Sequence, residues 1–270
     1  MSLSILPYTG SKRLDIPFIS SFFPTNITTV VEPFGGSGYT SLYLFSLNDK
    51  VKCHINDIDP ALINFFNQTK QHATDVVNAY NELLKFKSKE EFNAIVSNYR
   101  SIKTHDTIND ASLYLFYNKV YKLRQGLFPL NKSFNPLKIE EHTVFFDWLK
   151  HTTFTNLDYT EIFKMYKNMK TSFIFVDPPY FDSFNAKYYS YQKTTTKENI
   201  AIDNTKMFID IKEVLDTSKC RIMLIINKNH ITNYIYSKYV AGEYDKTYQQ
   251  TQKKTQHLII CNYKKIPTTT

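Results

Sequence analysis

The sequence has few cysteines and lacks any segment suited to a membrane or to export. Its three cysteines, Cys53, Cys220 and Cys261, are widely spaced in apolar, strand-like runs. We therefore expect free, buried thiols in a reducing compartment, and neither a disulfide framework nor a metal site. No run approaches the ~20 apolar residues of a membrane span, and Met1–Pro7 lacks the apolar segment of a signal peptide. A soluble, intracellular protein is expected.

Repeats and low-complexity stretches are also absent, apart from the short tail Thr268–Thr270, which argues against solenoid and disordered classes. A chain of 270 residues, 42% hydrophobic and 21% charged, is long enough to bury a sizeable core. Acidic residues are outnumbered, because 33 Lys and Arg face 25 Asp and Glu, and the net charge of +8 is spread along the chain. This excess favours a polyanionic partner or an anionic small molecule, although charge alone is weak support.

Alternating strand and helix patterns predict an α/β fold. The β-branched run Thr28–Glu32 opens into a glycine turn and a helix-compatible stretch, Tyr39–Ser46, which is the start of a βαβ unit. The simplest architecture is a mostly parallel, Rossmann-like sheet built from residues 1–60 and 148–270, interrupted by a helical insertion at 61–147. Further strands are predicted at Val51–Ile55, Thr152–Thr155, Ser172–Val176, Arg221–Ile226 and His257–Cys261, and later helices at Lys206–Leu215 and Ile231–Tyr239.

The turn Phe34–Gly38 predicts a nucleotide-type cofactor. Its glycines allow the backbone to approach a ligand closely, although such a turn can also be a simple strand-to-helix connection. Asp57 follows the second strand about 20 residues later, where an α/β site places its ribose acceptor. Asp59 is the competing acid, but Asp59-Pro60 is more typical of a helix start. The turn matches neither a phosphate-binding loop nor the dinucleotide spacing, so S-adenosyl-L-methionine is the predicted cofactor.

A second motif, Asp177-Pro178-Pro179-Tyr180, follows the buried-strand pattern Phe173–Val176 and would lie at the ligand-binding edge of the sheet. An aromatic amine is a poor nucleophile, and acceptors at Asp177 and the Pro178 carbonyl could direct its lone pair toward a methyl donor. Tyr180 would stack on an extruded base. The tetrapeptide alone could be a surface turn, but its occurrence together with the glycine turn and Asp57 favours the catalytic interpretation.

In this order along the chain, the motifs resemble the Dam-type (D12 class) adenine-N6 DNA methyltransferases of bacteria and their phages. Tyr8–Arg13 looks like the N-terminal motif of the family, Glu32–Gly38 its cofactor loop, Asn56–Ile58 its ribose motif and Asp177–Tyr180 its catalytic motif. The resemblance implies methyl transfer from S-adenosyl-L-methionine to adenine N6 in double-stranded DNA by base flipping. The cofactor-binding residues indicated are Tyr8, Lys12, Glu32, Phe34, Gly35, Gly36, Gly38, Asp57, Ile58, Asp158, Tyr159 and Asp177. Of these, Asp158 could equally be a helix N-cap.

The same resemblance makes residues 61–147 a target-recognition insertion. Within it, Tyr117–Phe128 mixes cations, amides and aromatics, and Phe134-Asn135-Pro136 resembles the end of the DNA-contacting hairpin of the family. The predicted DNA contacts are Asn118, Lys119, Lys122, Arg124, Lys132 and Asn135. Tyr117, Tyr121 and Leu123 could instead be helix core, with the cations on a solvated face. GATC-specific relatives carry an Asn-Gly-Leu-x-Arg-like stretch where this chain has Gln125–Pro129, so GATC is not predicted as the recognition sequence.

Two alternatives remain open at this point. An RNA adenine-N6 or protein glutamine methyltransferase presents the same acceptor geometry, although such enzymes more often begin the tetrapeptide with Asn. A catalytically silent DNA-binding homologue is the second. The abundance of Asn, Lys, Ile, Tyr and Phe is typical of an AT-rich genome, viral or bacterial. We expect a cytoplasmic location in a bacterial or virus-infected cell, no obligate protein partner, and compatibility with a cognate restriction endonuclease.

Overall fold

A seven-stranded sheet forms the centre of the protein, in the order β3-β2-β1-β4-β5-β7-β6. The computed structural model describes residues 3–8, 10–129, 134–179, 204–247 and 254–264. Outside these ranges lie Tyr180, Lys132 and residues 181–197, whose polar sequence rich in Tyr, Lys and Thr predicts a long loop. The strands are β1 (Thr29–Glu32), β2 (Lys52–Asn56), β3 (Thr152–Thr155), β4 (Ser172–Val176), β5 (Arg221–Asn227), β6 (Val240–Thr247) and β7 (Lys254–Cys261).

Helices connect the strands and cover both faces of the sheet. Shorter 3-10 segments lie at Lys12–Leu14, Ser20–Phe22, Lys122–Arg124, Ile139–His142 and Ser237–Tyr239, and a π-helical turn at Tyr117–Tyr121. The α-helices are α1 (Ile16–Ile19), α2 (Tyr39–Leu47), α3 (Pro60–Gln71), α4 (Ala73–Leu83), α5 (Lys89–Ser101), α6 (Ile108–Phe116), α7 (Thr143–Lys150), α8 (Tyr159–Tyr166), α9 (Asn204–Thr217) and α10 (His230–Tyr236).

The strand order confirms the predicted Rossmann-like class. Strands β1 to β5 are parallel to one another, whereas β7 runs antiparallel to both β5 and β6. The chain moves outward from β1 through β2 to β3, and then returns to the other side of β1 to form β4. Ligands of open α/β sheets bind where the strand order reverses in this way, outside the carboxyl ends of the strands. The expected site therefore lies between the ends of β1 and β4.

Alternating side chains divide the core into two layers. Val30, Ile55 and Phe173 belong to the cluster that packs against α1, α2, α3 and α7. Their neighbours Val31 and Ile174 belong to the cluster on the opposite face, which packs against α8, α9 and α10. Successive residues of a strand point to opposite faces, so the nearly continuous apolar runs of the central strands are explained by burial on both sides.

Strand β6 was not predicted, and its sequence explains why. Only Tyr244 of its eight residues is buried, and the other seven are exposed or partly exposed. It is an edge strand held by pairing with β7, and charged residues are common on such edges. The apolar spacing of Ala61–Lys85 predicts a single helix, but the non-helical backbone of His72 (φ −134°, ψ 47°) divides it into α3 and α4.

The helical segment between β2 and β3 packs directly on the sheet at both of its ends. Phe66 of α3 stacks on Phe154 of β3 with ring centroids 4.7 Å apart, and Trp148 of α7 meets both rings edge-on. Helix α6 then packs on α3 and α4, farther from the sheet. This segment is thus joined to the sheet by a continuous core. Among the described residues, no helix is both long and apolar enough to cross a membrane.

Candidate active site

The glycine turn after β1 adopts conformations and contacts that larger residues would disturb. Gly36 and Gly38 have φ values of 48° and 61°, in the left-handed region that favours glycine. A Cβ on Gly36 would lie 2.9 Å from the Tyr8 ring, and one on Gly38 would lie 2.8 Å from Trp148. Tyr8 therefore lies against the turn, and its contact with the cofactor stays a prediction.

Asp57 lies at the carboxyl end of β2 and faces this turn. Its Oδ2 accepts a hydrogen bond from the Gly36 N–H at 2.8 Å, and its Oδ1 accepts one from the Asp59 N–H at 3.0 Å. Burial raises the pKa of the Asp57 carboxyl to about 6. Asp59 instead caps α3, because its Oδ1 accepts from the Ala61 N–H. Asp59 is thus at a helix start, as predicted, and the role of Asp57 as ribose acceptor stays a prediction.

Asn56, which the sequence argument did not single out, ties three loops together. Its buried amide donates to the carbonyls of Pro33 and Leu157 at 3.0 and 2.9 Å, and its Oδ1 accepts from the Leu157 N–H. The backbone of Gly35 approaches closely enough to donate to the Asn56 carbonyl at 2.7 Å. The loops after β1, β2 and β3 are held in one arrangement by these bonds. Ile58 and Leu157 are exposed apolar side chains on two of these loops.

Phe34 and Tyr159 form a stacked pair beside these loops, with centroids 5.1 Å apart. The Tyr159 hydroxyl donates to Asp210 of α9 at 2.7 Å. Asp158 is the N-cap of α8, since its Oδ1 accepts from the Thr160 N–H at 2.9 Å. The helix-cap alternative for Asp158 is thus observed.

The Asp177 carboxylate lies at the carboxyl end of β4 and contacts the Lys12 ammonium. The side chains are only 21% and 5% exposed, respectively. Burial raises the pKa of the Asp177 carboxyl, and the Lys12 charge opposes that rise. Although burial alone would lower the pKa of Lys12, Asp177 and Asp15 together raise it above its usual range. We conclude that each group depends on the other to remain charged. Pro178 and Pro179 follow directly, the first buried and the second partly so.

Two further charged residues, Asp15 and Lys246, extend this pair. The Asp15 carboxylate lies 2.6 Å from the Lys246 ammonium and 3.9 Å from that of Lys12. Sequence patterns gave no signal for either residue, because 231 positions separate them and β6 itself was not predicted.

Glu32, another predicted cofactor residue, lies beneath the glycine turn. Its Oε1 accepts from the Ser41 N–H at 2.8 Å, and burial raises its pKa to about 8. Its observed contact therefore anchors the first turn of α2 to the end of β1.

The predicted DNA-contacting residues are not all on the surface. Asn118 is 3% exposed and its amide donates to the Tyr114 carbonyl, so its placement does not favour a DNA contact. Lys119 is partly buried, with its ammonium 3.4 Å from the Ile5 carbonyl. Lys122, Arg124 and Asn135 are exposed.

Aromatic rings support the exposed cations. The Lys122 ammonium lies 5.4 Å from the centre of the Tyr117 ring, and the Arg124 guanidinium lies 4.9 Å from that of Phe134. Tyr117 and Tyr121 are stacked at 4.9 Å and pack against the core, as the core alternative expected, whereas Leu123 is exposed. Arg100, which was not predicted, donates to the Tyr121 hydroxyl at 2.7 Å. Arg100, Lys122 and Arg124 thus form a cationic surface in which each charged group lies against an aromatic ring.

This surface adjoins the loops at the carboxyl edge of the sheet. The Tyr114 hydroxyl of α6 lies 3.5 Å from the Asp59 carboxylate. Burial raises the pKa of Asp59, and the positive charge of Lys122 opposes the rise. The helical segment and the sheet thus meet at Asp59, two residues beyond Asp57, and Lys122 lies near this end of β2.

Most of the chain matches a described family of enzymes. A model of the family "D12 class N6 adenine-specific DNA methyltransferase" matches residues 8–253. The chain is also similar to the type II methyltransferase M.CviBI of Paramecium bursaria Chlorella virus NC1A, with 22% identity over 279 aligned positions that cover 96% of this chain and 99% of that protein. The family resemblance predicted from the four motifs is confirmed. The chain belongs to the D12 class of N6 adenine-specific DNA methyltransferases.

Proposed function

We propose that this DNA methyltransferase uses S-adenosyl-L-methionine and acts on an adenine flipped out of double-stranded DNA. The observation that carries the proposal is the position of Asp177. Its carboxylate lies at the carboxyl end of β4, next to β1 and its glycine turn, and is paired with a buried cation. A carboxylate in this position can hold an exocyclic amine beside a cofactor bound at the turn.

The residues around the turn fit S-adenosyl-L-methionine. Asp57 offers a carboxylate for ribose hydroxyls, and the exposed apolar side chains of Ile58 and Leu157 suit the flat faces of an adenine. The backbone of Gly36 is fixed by Asp57 and covered by Tyr8. We propose that Tyr8, Phe34 and Tyr159 complete the apolar wall. When bound, this cofactor supplies an electrophilic methyl group.

Asp177 and Pro178 would supply the acceptors for the target amine. The adenine amine is a weak nucleophile because its lone pair is delocalised into the ring. If the Asp177 carboxylate and the Pro178 carbonyl each accept one N–H, the lone pair is freed for attack on the methyl carbon. The carboxylate can also take up the proton that the methylated amine loses. Tyr180 is proposed to stack on the flipped base.

DNA would approach along the helical segment. We propose residues 61–147 as the target-recognition insertion, and residues 1–60 and 148–270 as the catalytic and cofactor-binding part. Lys122, Arg124 and Asn135 are exposed, and the Lys122 charge acts on Asp59 at the carboxyl edge of the sheet, which supports a role in DNA contact. Lys119 and Lys132 remain proposed contacts. Because the relative is named a type II methyltransferase, a restriction endonuclease of the same specificity is a proposed counterpart.

Replacing Asp177 by Ala should lower kcat/KM by about 10³-fold or more, because the amine loses its charged acceptor. DNA affinity should remain unchanged. The assay follows radiolabel from S-adenosyl-L-methionine into duplex DNA, RNA and protein offered in parallel, with N6-methyladenine identified by mass spectrometry. Asp147→Ala, at an exposed aspartate whose ion pair among the described residues is with the surface residue Lys150, is the matched control. Wild-type activity in Asp177→Ala would remove this residue from the mechanism.

Affinity for the cofactor should fall as the pH falls through about 6, the pKa of Asp57, since a protonated carboxyl is a poorer acceptor for ribose hydroxyls. Asp57→Asn should weaken binding by about 10-fold or more and abolish this pH dependence. Calorimetric titration with S-adenosyl-L-methionine between about pH 5 and about pH 8 measures both effects. Asp49→Asn, at an exposed turn before β2, should behave as wild type. An unchanged pH dependence in Asp57→Asn contradicts the assignment.

Substituting Lys122 and Arg124 by Ala should weaken DNA binding and reduce the slope of log K against log salt by about 1 for each lost phosphate contact. The affinity for S-adenosyl-L-methionine should not change. Fluorescence anisotropy with duplex DNA at several salt concentrations provides the measurement. Lys164→Ala on α8, across the sheet from the helical segment, serves as the control. Equal salt slopes in the double variant and the control would show that DNA binds elsewhere.

A further inference from the structure

Four charged side chains form a row of alternating sign that begins at the catalytic carboxylate. Asp177 contacts Lys12, Lys12 lies 3.9 Å from Asp15, and Asp15 lies 2.6 Å from Lys246. The exposed fractions of the four side chains are 21%, 5%, 2% and 13%. Charges this deeply buried are stable only when opposite charges and hydrogen bonds compensate them.

Lys12, in the middle of this row, lies between two carboxylates that compete for its ammonium. Its ammonium faces two carboxylates, Asp177 and Asp15, and it also donates to the Gly10 carbonyl at 3.3 Å. Among the described residues, the ion pairs of Asp15 are with Lys12 and Lys246. The shorter of these two distances is the one to Lys246. The negative charge of Asp15 is therefore matched mainly from β6, and Lys12 remains in contact with Asp177.

We infer that Asp15 and Lys246 are positioning residues, in which Lys246 neutralises Asp15 and so keeps Lys12 on the Asp177 carboxylate. This inference rests on the proposed role of Asp177. Without the Lys246 charge, the nearly inaccessible Asp15 carboxylate attracts Lys12, which needs to move little more than 1 Å to pair with it. A catalytic group that loses its alignment by about 1 Å can lose ~10²-fold in rate.

Other titratable groups around the row come from three strands: Glu32 on β1, Tyr244 on β6 and His257 on β7. Burial raises the pKa of Glu32 to about 8 and, with the neighbouring Lys246 and Lys12 charges, lowers that of His257 to about 3. Both are therefore mostly uncharged near neutral pH. Tyr244 is a phenol stacked on His257. The charge balance near neutral pH thus depends mainly on the two lysines and the two aspartates.

The test compares Lys246→Met with the double variant Asp15→Asn/Lys246→Met in the full-length enzyme. Lys246→Met should lower kcat by about 10- to 100-fold with little change in KM for DNA. It should also move the acidic limb of the kcat/KM profile to higher pH, since Lys246 helps to lower the pKa of Asp177. The double variant removes the competing carboxylate as well, so its kcat should return to within about threefold of wild type.

Two controls separate positioning from a general loss of structure. Lys246→Arg keeps the charge and should retain activity. Lys228→Met breaks another pair on the same edge of the sheet, Lys228–Glu243 at 2.7 Å, and should leave both kcat and the pH profile unchanged. Melting temperatures of all variants report folding. If Lys246→Met does not fold, the double variant tests the inference by itself, because it carries neither the Asp15 charge nor the Lys246 charge.

A double variant as impaired as Lys246→Met, or an acidic limb that does not move, overturns the inference. Asp177→Ala, assayed beside them, separates a failure of the positioning inference from a failure of the proposed function. If Asp177→Ala is inactive while Lys246→Met is fully active, the positioning pair is wrong and the proposed function stands. If Asp177→Ala is active, the proposed function fails whatever the Lys246 variants do.

Discussion

The buried contact between Lys12 and Asp177 is the interaction on which the active site depends. It joins the N-terminal segment to the end of β4, 165 positions along the chain. A carboxylate removed from water is unstable unless a cation compensates it, and removal of one partner leaves an uncompensated charge. The position and the charge of the proposed catalytic carboxylate thus depend on a residue that is distant in sequence. Because β4 pairs directly with β1, the strand order places the Lys12–Asp177 contact close to the glycine turn.

The fold brings the proposed cofactor-binding residues close to the helical segment that is proposed to contact DNA. Asn56 binds the loops after β1 and β3 from the end of β2, which fixes the surroundings of Asp57. Asp59, two residues later, caps α3 and lies beside Tyr114 of α6. Helix α6 leads through a π-helical turn to the exposed cations Lys122 and Arg124. The proposed ribose acceptor Asp57 is therefore linked to the proposed DNA surface through Asp59 and Tyr114.

The parts of the fold that the sequence predicts well are those in which local pattern and burial agree. Strand Ser172–Val176 has the predicted bounds because a parallel strand buried on both faces is a continuous apolar run. Thr152–Thr155 also has the predicted bounds, although it is an edge strand, because its β-branched and aromatic residues favour strands. The positions of Asp57 and Asp177 were predicted for a related reason, since each follows the end of a strand. The edge strand β6 has no comparable pattern and was missed.

Asn118 and Lys246 show two limits of sequence reasoning. Asn118 and Lys122 were both predicted to contact DNA, and residues four apart share one face of an α-helix. A π-helical turn, with its wider i to i+5 spacing, changes that phase, and Asn118 is buried while Lys122 is exposed. The contact of Lys246 with Asp15 depends on a strand from the far end of the chain. No local pattern encodes such a contact.

The most direct test of the central claim is the pH dependence of kcat/KM in Lys12→Met compared with wild type, measured as methyl transfer to adenine in duplex DNA. Lys12 opposes the effect of burial on the pKa of Asp177, and the carboxylate must be ionised to accept the amine. Loss of the cation should therefore move the acidic limb to higher pH and lower the maximum rate. An acidic limb at the same pH in both proteins would contradict the account, because Asp177 would then hold its charge without Lys12.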